Sequence, residues 1–167
     1  VPDAEAATGA RHVDVLSWAA VLAELSGDLG RAGDFASSAA RAAEAADDPA
    51  AGALVHEHWA RILWATGRPV EEILGHVDLA LSLAPGADIA PGAGLAPRAR
   101  VLATRGQQLM LAGRGHDAVE PCREAIDLAA RSGDGAIESH ARNSLGVALT
   151  MLGDADTGVA ELRNAHL

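Results

Sequence analysis

SLGVALTMLGDADTGVAELRNA, residues 144–165, sets two alanine-rich helical patterns on either side of a glycine–aspartate break. Leu145, Leu149 and Leu152 lie on one helical stripe before Gly153-Asp154, and a second stripe comes after the break. Equivalent breaks stand at Gly33-Asp34, Gly67-Arg68 and Gly113-Arg114, so the four are 34, 46 and 40 residues apart. Near-fixed periods of this size are the mark of stacked helical hairpins.

Alignment on the glycines supports the repeat. Leu25, Trp59 and Leu145 fall eight residues before a break, while Leu29, Leu63, Leu109 and Leu149 fall four before it. Ala45, Ala125 and Ala165 stand twelve residues after. Small or apolar residues recurring at i and i+4 are what a repeated inter-helix contact requires. The pattern predicts helices over 12–32, 34–47, 51–66, 69–84, 97–112, 116–131, 136–152 and 154–167. Gly27 and Gly30 each weaken the first helix by about 1 kcal/mol relative to alanine, so a turn within 26–33 and a shorter helix is the alternative. Pro69 suits the first turn of its helix. Pro49 closes the first hairpin, and Asp47 and Asp48 help to cap the next helix. PGADIAPGAGLAP, residues 85–97, cannot continue a helix and reads as an inserted loop over 85–96. The expected organisation is a single helical-repeat domain, 1–167, with hairpins at about 12–47, 51–84, 97–131 and 136–167.

Composition agrees. Hydrophobic residues make up 49% of the 167 and aromatic residues 2%, and alanine favours close-packed helices over strands. Thirteen basic residues, all arginine, face 23 acidic ones, for a net charge of −10, which argues against direct contact with nucleic acid. The acidic surplus sits mostly near helix starts, at Glu71-Glu72, Asp47-Asp48, Asp154 and Asp156, where it offsets the helix dipole. One cysteine excludes an internal disulfide, and no apolar run has bilayer length. A cytoplasmic setting is the expectation. The chain starts at Val1-Pro2 and stops inside a helical pattern, which reads as a fragment of a larger protein.

Chemistry-bearing clusters are few. His56-Glu57-His58 places two imidazoles roughly 200° apart on a helix, so they do not share a metal, whose helical ligands need i, i+4 spacing. Cys122 falls at an inward-packing position and reads as a small hydrophobe. No Ser/His/Asp arrangement stands out, and the glycine-rich loop lacks a Gly-Lys-Ser/Thr ending in a chain without lysine. The expectation is a non-enzymatic chain with no cofactor or metal in these residues.

The repeated positions resemble the tetratricopeptide repeat. The fourth unit supplies Leu145-Gly146, Leu149, Gly158, Leu162 and Ala165, and the third Gly106, Leu109, Ala118, Cys122 and Ala125. The first supplies Leu22, Leu25, Leu29, Ala42 and Ala45, and the second, shifted by one residue, Ile73, Val77, Ala80 and Pro85. The large first aromatic is absent throughout, and Arg105 and Arg142 occupy normally apolar positions. This alanine- and arginine-rich form is similar to the helical-repeat region of large bacterial LuxR-type regulators of the MalT-like, NTPase-containing class.

The resemblance implies a right-handed α-solenoid of about four hairpins, lying between a nucleotide-binding module and a DNA-binding helix-turn-helix outside these residues. Its repeats would receive a signal, either a small inducer or a protein or peptide partner. The first helices of such hairpins line the concave face. Their outward positions here are Glu57, Arg61, Trp64, Arg100, Gln107, Met110, His140, Asn143, Val147 and Thr150, a surface suited to a peptide or small polar ligand. A stand-alone adaptor is the rival reading. Neither end hairpin has the polar outer face of a capping repeat, so self-association through the ends is expected.

Overall fold

Six short links decide where the helices start and stop, and all six are closed in one way. The computed structural model of the chain describes residues 9–84 and 95–165. Within them lie eight helices: α1 (His12–Leu25), α2 (Leu29–Ala45), α3 (Pro49–Ala65), α4 (Val70–Leu83), α5 (Leu95–Leu111), α6 (Gly115–Ser132), α7 (Gly135–Met151) and α8 (Ala155–Asn164). The fold is all-α among the described residues. The chain divides into two compact units, Val1–Leu83 and Ala84–Leu167.

At each link one residue takes a positive φ: Gly27, Asp47 and Gly67 in the first unit, Gly113, Gly133 and Gly153 in the second. The N–H of the next residue then reaches back to the carbonyl five positions earlier. These bonds are Asp28 to Ala23, Asp48 to Ala43, Arg68 to Leu63, Arg114 to Leu109, Asp134 to Ala129 and Asp154 to Leu149, all at 2.9–3.0 Å. This closure satisfies carbonyls that a helix end leaves orphaned, and it needs a left-handed residue, for which glycine is the cheapest choice. The breaks thus recur every twenty residues within each unit, and the hairpin repeat is forty.

At four of the links the residue after the left-handed one caps the next helix. Asp28, Asp48, Asp134 and Asp154 accept the backbone N–H of Arg31, Ala51, Ile137 and Thr157 at 3.0–3.2 Å. Each such cap contributes about 1 kcal/mol. Pro49, expected to close the first hairpin, instead opens α3 directly after its Asp48 cap. Pro69 stands just before α4, its carbonyl accepting from Glu72 and Ile73.

The first break is therefore Gly27-Asp28 and not Gly33-Asp34. α1 ends at Leu25, seven residues short of the expected 32, and Gly33 lies inside α2. The physical reason is the buried stripe of α2, Ala32, Ala36, Ala39 and Ala43, which begins before Gly33 and must belong to one helix. The alignment of Leu25, Leu29 and Ala45 with the later hairpins falls with it. The residues four before a break are Ala23, Leu63, Leu109 and Leu149, all buried. The inserted loop lies outside the described residues, as do Pro85 and the last two positions of the final helix, except that α5 begins at Leu95, two residues earlier than expected.

Small side chains let the helices of a hairpin touch. Seven residues before the breaks stand Ala20, Ala60, Gly106 and Gly146. A Cβ on Gly106 would lie 2.3 Å from Cys122 Sγ, and one on Gly146 would lie 2.7 Å from the Gly158 carbonyl oxygen. Cys122, Leu145 and Leu149 join α6 to α7. In the first unit Ile62 of α3 enters a pocket of Ala20, Ala23, Ala32 and Ala36 from α1 and α2. Ile73, Val77 and Ala80 form the buried face of α4, with the expected one-residue shift. Arg142 holds its apolar-type position by bridging Glu138 at 2.8 Å and Glu161 of α8 at 2.7 Å.

Two outcomes test this register. Gly33→Ala should raise stability by about 0.5–1 kcal/mol, because its φ is ordinary and its Cβ meets open space. Gly27→Ala should lower stability by about 1 kcal/mol, because φ is +81° there; chemical denaturation of both variants decides, and the reverse order restores the break at Gly33. Gly106→Ala should cost about 1–3 kcal/mol through overpacking. Combined with Cys122→Ala it should cost clearly less than the sum, since the clashing atom is gone; an additive double-mutant cycle would refute the contact.

Candidate functional site

Positions thirteen, ten, six and three residues before each break define one face of α1, α3, α5 and α7, and the expected binding residues fall on it. In α3, Glu57 and Arg61 come together, Arg61 lying 3.8 Å from both Glu57 and Glu24 of α1. Glu24 also meets His58 Nε2 at 2.7 Å. Glu57, expected to point outward, is buried at 4% exposure, because α3 is covered on that side as well as against α2. Trp64 is exposed at the end of the same helix. Glu24 was missed because the misplaced first break moved it off this face.

In the second unit Arg100, Asn143 and Thr150 are exposed, and Gln107, Met110, His140 and Val147 are half-buried. Thr150 serves the fold: its hydroxyl donates to the Gly146 carbonyl at 2.9 Å and abuts Gly158 of α8. Half-burial of four of the seven leaves a less accessible polar surface than the sequence suggested.

His56 and His58 part as their spacing requires. His58 turns to Glu24 of α1, and His56 turns to His76 of α4, their Nδ1 atoms 3.0 Å apart with one donating to the other. Trp59 lies against both rings, stacked with His56 at 5.9 Å between centroids and tilted against His76 at 4.3 Å. Burial holds both imidazoles below their ordinary value; the nearby His76 adds to this for His56, and Glu72 partly offsets it for His76. Among the described residues no three His, Cys, Asp or Glu side chains converge as a metal site. Cys122 is fully buried and its thiol is pushed up to about 12, which keeps it a packing group at neutral pH.

Beside the histidine pair the first unit opens a cleft of about 440 Å³ between α2, α3 and α4. Ala40, Ala43, Gly52, Leu79 and Leu83 make its apolar wall, with His56 at its edge. Its rim carries Glu44, Asp47 and Asp48. Asp48 is held below the usual carboxylate range, first by the Ala51 N–H it caps and then by Arg11, whose guanidinium is hydrogen-bonded to it and to Asp14. Sequence reasoning passed over this cleft because Asp47 and Asp48 read as capping residues and its apolar wall is assembled from three helices.

Comparison with known proteins adds the fold. The crystal structure of BtubC (BKLC) from P. vanneervenii matches 92% of this chain and 61% of its own, with a TM-score of 0.77 and 18% sequence identity. The chain thus spans about three fifths of that protein. At this identity the likeness shows a shared helical architecture. No protein-family model matches the chain, and no curated protein does. No described helix is long and apolar enough to cross a membrane.

The histidine pair makes the first unit acid-sensitive. Both imidazoles titrate lower in the folded chain than their ordinary 6.5, so between those values the unfolded chain binds more protons. The stabilisation is complete above 6.5 and is lost as pH falls through the folded-state values. Thermal melts at pH 8, 6.5 and 5 should therefore show a falling midpoint that His56→Asn with His76→Asn flattens; equal slopes in both proteins would sink the assignment.

Proposed function

We propose that the chain is a non-catalytic helical-repeat binding module, whose cleft between α2, α3 and α4 seats a short apolar segment of a protein partner flanked by arginine or lysine. The observation that carries this reading is Asp47. It takes the left-handed position, φ 51°, that glycine fills at the other five links. A non-glycine residue there costs of order 1 kcal/mol, and what it places on the cleft rim in return is a carboxylate beside Glu44 and Asp48. Arg11 at Asp48 supports the choice of cation, since a guanidinium of the chain itself already pairs with one of the rim carboxylates.

In this reading the resemblance to LuxR-type regulators supplies the setting. Occupation of the cleft would shift the packing of the hairpins and so the state of attached modules, with DNA contacted only by a module outside these residues. A free-standing adaptor would use the same cleft without such coupling. Deleting these hairpins from the intact protein separates the two: a signal response that survives deletion removes the sensing role.

The cleft itself is tested by fluorescence polarisation with a labelled leucine–arginine dodecapeptide and its leucine–glutamate counterpart. The arginine peptide should bind, more weakly as salt rises, and the glutamate peptide should not. Asp47→Gly should raise the melting temperature yet weaken the arginine peptide, and Glu44→Arg should weaken it about tenfold or more. Equal affinity for both peptides rules the proposal out.

A further inference from the structure

His56 cannot share a ligand with His58 on its own helix, yet α4 brings His76 to it from across the hairpin. Their Nδ1 atoms lie 3.0 Å apart. The two rings are themselves stacked, with centroids 5.2 Å apart, and Trp59 packs against both, so the facing nitrogens are held in place. One helix offers such a pair only at i, i+4 spacing; here two adjacent helices supply it.

The repeat shows what packing alone asks of these positions. His56 stands four residues before Ala60, and the matching Ala20, Gly106 and Gly146 place Leu16, Leu102 and Arg142 at its position. Val77 stands where Ala36, Cys122 and Leu162 stand on the other second helices, so His76, one residue before it, matches Phe35, Pro121 and Glu161. Two hairpins thus carry apolar side chains at this pair, and the last carries the complementary Arg142 and Glu161, 2.7 Å apart. Among the four, α3 and α4 alone set two groups of the same kind against each other, each with a ring nitrogen that can give a lone pair.

The geometry points to a divalent transition-metal site, in which Nδ1 of His56 and Nδ1 of His76 bind one ion in adjacent coordination positions. Metal–imidazole bonds of about 2.0–2.1 Å to nitrogens 3.0 Å apart subtend roughly 91–97° at the ion. That is the angle between neighbouring ligands of a square-planar or octahedral ion, so copper(II) and nickel(II) suit the pair better than tetrahedral zinc, which needs about 3.3–3.4 Å. In the present contact one Nδ1 carries the shared hydrogen. Binding moves that hydrogen to Nε2 of the same ring, the other tautomer, and both lone pairs then face the ion with no change in charge. Burial keeps both rings in the neutral, ligating form at pH 7. Glu72, one turn before His76 on α4, favours positive charge at that ring and so a cation beside it. Among the described residues no third His, Cys, Asp or Glu converges with the pair. The other positions therefore fall to water, or to a donor atom of a molecule in the cleft that His56 borders. The site stands whatever occupies that cleft.

Isothermal calorimetry with nickel(II) chloride at pH 7.5 reads the site. The chain should take up one ion, and its melting temperature should rise with nickel(II) concentration. His56→Asn and His76→Asn should each weaken binding about tenfold or more and remove the rise. His116→Asn, which changes an exposed histidine of α6, should leave both unchanged. Nickel(II) held by the pair lies beside the Trp59 indole and should quench it, so Trp59→Phe should remove most of the fluorescence loss while calorimetric binding persists. A wild-type chain that takes up no nickel(II) overturns the site. So does binding of wild-type strength when both His56 and His76 are asparagine, an equal loss with His116→Asn, or quenching that survives Trp59→Phe.

Discussion

The hydrogen bond from each post-turn N–H to the carbonyl five residues back is the constraint on which the rest of this structure depends. It ends a helix, reverses the chain within three residues and presents an aspartate or arginine to start the next helix. Because it recurs every twenty residues within a unit, it also sets which side chains of successive helices meet. Moving one closure by six residues would rotate α1 and α2 relative to their neighbours by well over a full turn and expose the Ala32–Ala43 stripe. The core leaves little room for such a change, since many of its contacts are made by alanine and glycine, which have no long side chains to adapt.

That constraint explains what could be read in the sequence. Gly67-Arg68, Gly113-Arg114 and Gly153-Asp154 are visible because each stands alone between two apolar stripes. The first break is hidden in Gly27-Asp28-Leu29-Gly30-Arg31-Ala32-Gly33-Asp34, which contains the same dipeptide twice, six residues apart. Local propensity does not choose between the copies. The choice is made by tertiary burial of Ala32, an alanine among many. The binding face suffered by inheritance: with the register of α1 wrong, Glu24 was invisible as the partner of His58 and Arg61. Glu57 went astray for another reason, because a helix packed on two sides buries positions that a single amphipathic stripe would leave outside.

The cleft shows why function was harder to read than fold. Its wall is built from residues of three helices whose relative placement only the closed turns determine, and its acids are also structural. Asp48 caps α3 while holding Arg11, and Asp47 ends α2 in the conformation that glycine would adopt more cheaply. Nothing in a pattern of spacings separates an aspartate that caps from one that caps and also lines a cleft. The separation comes from geometry, and from comparison of one link with the other five.

Asp47 is then a departure of a definite kind, a repeat position where the glycine of the other five links has been replaced by a residue that the fold does not require. At the links, glycine gives way to a carboxylate in one place. A repeat whose stability is a sum of equivalent hairpins and their contacts offers an internal reference for every position, because the other copies show what packing alone asks of it. A residue that exceeds that demand at a cost in backbone strain, as Asp47 does, is where binding is to be sought. On that ground the cleft stands apart from the face of α5 and α7, where Gln107, Met110, His140 and Val147 are half-buried.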